Sequence, residues 1–207
     1  MRRFPIPINV TKPYNDATER TSRKALSQGN PDIRQQVEDN RGIAKKLELL
    51  IPGLRGYRTK EDIRASDSIL RNQMADKLDH VKDNLQQLRK LVASSNDLNN
   101  LTSVGSLMAQ VQTLSGEVRH AAQGYSGWVA PIQMNDDKLN KLYEYDYSFV
   151  TAVFSLDQAS APGNLKYDPT APNSVQTALA GLASSVSDIR QKWSTRVEAI
   201  QGVALGQ

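Results

Sequence analysis

The side chains that most often do chemistry are scarce here: 207 residues hold two histidines, His80 and His120, and no cysteine. His120 closes Glu117-Val118-Arg119-His120, a Glu-x-x-His that a helix would bring to one face. A dimetal site in a helical bundle needs two such pairs and two further glutamates, all pointing inward. His80 has Asp76 and Asp79 nearby but no matching glutamate. In a hairpin that turns near residue 96 it falls opposite a residue near 112, not 120. The spacing predicts two surface histidines, no metal ligands and no cofactor; a metal-dependent bundle enzyme is the alternative. A Ser/His/Asp hydrolase is not supported, because no Gly-x-Ser-x-Gly is present. Gly124-x-x-Gly127 leads into Trp128 and Pro131, not into the Gly-Lys-Ser/Thr of a phosphate loop. Without thiols there are no disulfides, thiolate metal sites or cysteine nucleophiles. No catalytic residue is expected.

Two glycine-aromatic turns are the remaining polar constellation. The first is Ile51-Pro52-Gly53-Leu54-Arg55-Gly56-Tyr57 and the second Gly124-Tyr125-Ser126-Gly127-Trp128. Proline presets φ and glycine accepts positive φ, so both read as turns. Pro52, Gly53, Gly56, Tyr57, Gly124, Tyr125, Gly127 and Trp128 are expected to be structural, with the aromatics pinning bundle ends. Asp146 falls on the apolar stripe of a helix, where an unpaired carboxylate is costly. Arg55, Arg58, Arg64 and Tyr57 are its expected partners.

The elements that must position these residues are helices. The longest follows the first turn. Thr59 precedes Lys60, Glu61 and Asp62, a cap residue with acids in the first turn. Ile63, Leu70, Met74, Leu78, Val81, Leu85, Leu88 and Val92 then recur at helical spacing. Ser94-Ser95-Asn96 ends the helix with side chains that compete for the backbone. At about 1.5 Å per residue it is roughly 50 Å long, so its stripe must be buried on other helices. A helix before it starts at Asn30-Pro31 and carries Ile33, Val37, Ile43 or Ala44, Leu47 and Leu50. After the break at Ser94 to Asp97, the stripe Leu98, Leu101, Val104, Met108, Val111, Leu114, Val118 and Ala122 predicts an antiparallel partner. Its outer face is rich in serine and glutamine. A fourth helix carries Leu139, Leu142, Tyr143, Asp146, Phe149, Val150, Val153 and Leu156. The last runs from Ser174 with Val175, Leu179, Leu182, Val186, Ile189, Trp193, Val197 and Ile200, and its early surface is small and uncharged.

The net charge of +4 has one location. Residues 1–28 hold six basic and two acidic side chains, and the rest of the chain holds 20 of each. That arm has Pro5, Pro7 and Pro13, with Phe4, Ile6, Ile8 and Val10 alternating, so it reads as extended. Arg2, Arg3, Phe4, Ile6, Ile8 and Val10 are its candidate partner-binding residues, on an acidic protein or an anionic membrane surface. No basic stripe continues into the helices, so specific nucleic-acid binding is not expected. No apolar run is long enough to cross a membrane, and Met1-Arg2-Arg3-Phe4-Pro5 lacks the apolar core of a secretory signal.

The two turns, with Lys60-Glu61-Asp62-Ile63-Arg64 and the later Leu142-Tyr143-Glu144-Tyr145-Asp146, carry a resemblance. Over roughly residues 35 to 157 the chain resembles a family of small helical prokaryotic proteins of uncharacterised activity. Its members carry an IPGYRGY turn, a GYSG turn and a LYEYD-type helix. The resemblance implies a helical fold, links some members to SPFH-domain (stomatin/flotillin-like) membrane scaffolds, and transfers no catalytic residue. Leu54 stands where the family often has an aromatic, and the proline-rich arm and last helix are not covered.

The expected protein is all-α: an up-and-down bundle of four or five long helices with an extended basic N-terminal arm. The expected segments are the arm 1–28, a helical core 29–158, a linker 159–173, and a C-terminal helix 174–207 packed on the bundle or on a partner. The expected role is a non-catalytic, cytoplasmic scaffold or adaptor subunit that forms a homo- or hetero-oligomer with protein partners. The alternative is a peripheral membrane protein that works with an SPFH-type scaffold through its arm.

Overall fold

The computed structural model describes residues 33–54, 63–121 and 136–204. Two compact units divide the chain, Met1–Glu38 and Asp39–Gln207, and the packing described below is within the second. The fold is all-α: among the described residues there are five helices and no strand. They are α1 (Ile33–Leu50), α2 (Ile63–Ser94), α3 (Leu98–His120), α4 (Asp136–Ser160) and α5 (Pro172–Ala204). The arm 1–28 with its candidate residues, and Gly56, Tyr57, Gly124, Tyr125, Gly127 and Trp128, lie outside the described residues.

Four of these helices share one pattern of burial. In α2 the buried series is Asp67, Arg71, Met74, Leu78, Val81, Leu85, Leu88 and Val92. In α3 it is Asn100, Val104, Leu107, Val111, Leu114 and Val118. In α4 it is Leu142, Asp146, Phe149, Val153, Leu156 and Ser160, and in α5 Val175, Leu179, Leu182, Val186, Ile189, Trp193 and Arg196. Every series alternates steps of four and three. That is the heptad spacing of 3.5 residues, which keeps a core seam facing its neighbours along the whole helix.

The extensive helix pairs are α2 with α3, α4 with α5, α3 with α5, and α2 with α4. Around the bundle the order is therefore α2, α3, α5, α4, which places α2 diagonally across from α5. Directions follow from side-chain pairs. Arg119 meets Asp76 while Asn100 lies at the far end of the hairpin beside Pro172, so α3 runs antiparallel to α2. Lys77 meets Asp157 and Asn84 meets Ser160, so α4 runs parallel to α2. Phe149 packs on Trp193, and Asp146 accepts from Arg196, so α5 returns antiparallel to α4. Successive helices thus alternate in direction.

Short segments set the ends. Asn96 adopts φ 57°, and Ser94 and Ser95 hydroxyls both donate to the Leu91 carbonyl. Asp97 then caps α3, accepting from the Asn100 amide at 3.1 Å. Here the structure corrects the expected stripe: Leu98 is 67 % exposed, and Asn100 takes the core position. The Asn100 side chain donates to Asp97 at 2.6 Å and to the Pro172 carbonyl at 3.3 Å, which offsets much of the cost of burying its amide. Leu107 likewise replaces Met108, which is only half-buried. After α1, Gly53 has φ 89°, Pro52 and Gly53 are exposed, and Ile51 and Leu54 are buried.

The connection before the last helix is shorter than 159–173, because α4 extends to Ser160 and α5 begins at Pro172. Proline fits the first turn of a helix, where its missing N–H has no partner to lose. This connection is also docked. Leu165 is buried, and the Tyr167 hydroxyl donates to Asp97 at 3.2 Å.

Candidate functional site

Where α2 begins and α3 and α5 end, the heptad core positions carry charge in place of apolar groups. Asp67 and Arg71 sit on adjacent core positions of α2 and form an i,i+4 pair, Arg71 Nε donating to Asp67 Oδ2 at 2.7 Å. Arg196 on α5 reaches across the bundle: its Nη2 donates to Asp67 Oδ1 at 2.5 Å, and its Nε donates to Asp146 Oδ1 on α4. Arg71 Nη1 donates to the Arg119 carbonyl at 3.1 Å, in the last turn of α3, where a cation suits the free carbonyls. One layer therefore ties all four helices together. The guanidinium of Arg196 lies 5.1 Å from the Trp193 ring, which is itself 5.1 Å from the ring of Phe149.

The layer is dry. Asp146 is 0 % exposed, Arg196 1 % and Asp67 2 %. Burial pushes the Asp67 carboxyl up, but the Arg196 charge and the hydrogen bonds from Arg71 and Arg196 together hold it below its ordinary value. Asp146 goes the other way. It has only Arg196 to oppose its burial, its Oδ2 is buried without a hydrogen-bond partner, and its carboxyl is raised.

These opposite directions give a pH signature. The folded chain keeps the Asp146 proton at pH values where the unfolded chain, near 3.8, has lost it. Asp146 therefore contributes stability at acid pH that is lost as pH rises through its folded value. Asp67 contributes stability that is present above 3.8 and is lost as pH falls through its lower folded value. Asp146→Asn removes one titration at nearly constant size. The stability of this variant relative to the natural chain should rise as pH climbs from 3.8 through the raised folded value, read by urea unfolding at each pH. A relative stability that falls over that range would show that attraction to Arg196 outweighs burial.

The sequence placed Asp146 on a stripe and demanded a cation for it, and the structure supplies Arg196, 50 residues away. The expected partners Arg55, Arg58 and Tyr57 lie outside the described residues, as does the side chain of Arg64. The stripe expected on α5 runs from Trp193 to Val197; the buried position is Arg196, with Val197 half-buried. Asp67 falls in the gap that the expected α2 stripe leaves between Ile63 and Leu70, and Arg71, which the sequence pattern puts on the charged outer face of this helix, is buried instead because it pairs with Asp67 and the Arg119 carbonyl. A strict four-three count along each helix is the signal that finds all three.

The other candidates are dispersed. His80 Nδ1 lies 2.6 Å from Asp157 Oδ1 on α4, and Lys77 pairs with the same carboxylate at 3.2 Å. Glu117 turns toward α5 and pairs with Arg190 at 3.4 Å. His120 is exposed at the end of α3. Among the described residues no group of three or more His, Asp or Glu converges on a point that could hold a metal ion. The α2–α3 register is instead fixed by Arg119 Nη2, 2.9 Å from Asp76 and 2.8 Å from Asp79, and by Ser115 Oγ donating to Asp79 at 2.9 Å.

A second feature lies on the outside. Residues 98–116 and 169–187 contain no charged side chain and no histidine. Because α3 and α5 pack side by side in parallel, these stretches adjoin. Between them runs a groove of about 450 Å³ lined by Thr102, Ser106, Gln110, Gln176, Ala180 and Ala183, among others. No helix among the described residues is long and apolar enough to cross a membrane. The chain matches no protein-family model, no curated protein and no solved structure.

Proposed function

We propose that this protein is a non-catalytic scaffold or adaptor subunit that holds protein partners on the paired faces of α3 and α5. The observation that carries this reading is the absence of charge across two adjoining exposed helix faces. A solvated helix face is ordinarily laced with Lys, Arg, Glu and Asp. Desolvating such charges opposes association, and the cores of protein interfaces are depleted of them. Serine, threonine, glutamine and alanine can be covered at small cost and can hydrogen-bond to a partner. The ionic layer supports the same reading from inside, since groups at 0–5 % exposure offer nothing to a solute.

Native mass measurement of the complex isolated with the full chain tests it. The mass should exceed that of one chain, and the double variant Ser106→Glu, Ala180→Glu should return it to one chain with its helical content unchanged. Both positions are exposed, so the added carboxylates harm only a covered face. A single-chain mass for the natural protein would remove the proposal.

A further inference from the structure

A strictly heptad core has a weakness. Its apolar positions repeat every seven residues, so a helix displaced by one heptad, about 10.5 Å along its axis, again sets apolar groups against apolar groups. On α5 the repeat is unbroken from Val175 to Trp193, and the exposed side chains nearby are small: Ala180, Gly181 and Ser184. The apolar repeat alone therefore does not name one register of α5; the docked connection before it, the Phe149–Trp193 contact and the buried charges must choose among registers. Charge does so strongly. Arg196 bonds Asp67 on one helix and Asp146 on another at once. One heptad further along those helices stand Met74 and Val153. A displaced α5 would press a guanidinium against apolar groups and leave two carboxylates buried without it.

We propose that the Asp67–Arg71–Asp146–Arg196 layer is the register lock of the bundle, selecting one seating of α5 among heptad-related alternatives. Polar groups at core positions of heptad helices specify register at a cost in stability. In this bundle the lock spans the diagonal, from α5 to α2, a pair that makes no extensive helix contact of its own. It therefore reports the seating of α5 against the whole bundle and not merely against α4.

The test uses the full chain with all four groups made apolar: Asp67→Leu, Arg71→Met, Asp146→Leu and Arg196→Met. The native chain has no cysteine, so Arg89→Cys and Ser194→Cys, both at exposed positions, carry spin labels at opposite ends of α2 and α5. With the natural layer, pulsed electron–electron resonance should give one narrow distance. With the apolar layer it should give a second population displaced by about 10 Å, in a protein whose helicity and urea midpoint are equal or higher. A single unchanged distance in the apolar variant would overturn the proposal. Failure of that variant to fold would overturn it too, because the apolar heptads are held to be sufficient for the bundle and the charges to choose only its register.

Discussion

Arg196→Met should lower the free energy of unfolding by about 3–5 kcal/mol, the usual cost of removing one partner from a buried ion pair. The side chain it removes is 1 % exposed and donates to two carboxylates on two other helices. Asp67 keeps Arg71, at 2.7 Å, so the larger part of the penalty falls on Asp146, which is 0 % exposed. Methionine fills much of the same volume, so the loss reports charge and not a cavity. Arg196→Lys should be only a partial rescue, because one ammonium lacks the fork that reaches both acids. Urea unfolding of the three proteins at neutral pH reads these differences. A loss below about 1 kcal/mol for Arg196→Met, the range of exposed pairs, would mean that no charge is stranded in the layer, because water reaches it or because Asp146 holds its proton.

Phe149→Ala should cost a similar amount, about 3–5 kcal/mol, for a different reason. Phe149 is fully buried on α4, and its ring lies 5.1 Å from that of Trp193 at 42°, a tilted packing. Truncation removes apolar contact and leaves a cavity that the rigid surrounding helices fill only in part. Trp193 also lies against the Arg196 guanidinium, so the cavity loosens the wall that holds the ionic layer. The double variant Phe149→Ala, Arg196→Met should therefore lose less than the two single losses combined, because residues in one network couple. Thermal and urea unfolding of the set measure this. Additive losses would show that ring and guanidinium act independently, and a Phe149→Ala loss near 1 kcal/mol would show that the site collapses without strain.

The helices were legible because their cause is local. Leu70 to Val92, Val104 to Val118 and Val175 to Trp193 repeat at helical spacing, and Ser94-Ser95-Asn96 and Asp97 mark a stop and a start with their own side chains. An all-α bundle with alternating helix directions follows from long one-sided helices and short connections. Within the candidate site, the sequence exposed one member, Asp146, since a carboxylate on an apolar stripe is anomalous wherever the fold sends it.

Its partner was a different kind of fact. Arg196 lies 50 residues from Asp146 and 129 from Asp67, and a helical period says which face is buried but not which helix will lie against it. The preference for Arg196 over Val197 at a core position, and for Asn100 over Leu98, runs against hydrophobicity. Each choice becomes favourable only when partners are in place: Asp67 and Asp146 for the guanidinium, and the neighbouring Asp97 together with the distant Pro172 carbonyl for the NH2 group of Asn100. The uncharged runs on α3 and α5 were likewise visible one at a time, and only the order of helices around the bundle made them a single face. Local periodicity determined the elements, and only the tertiary structure decided which buried polar groups pair across them.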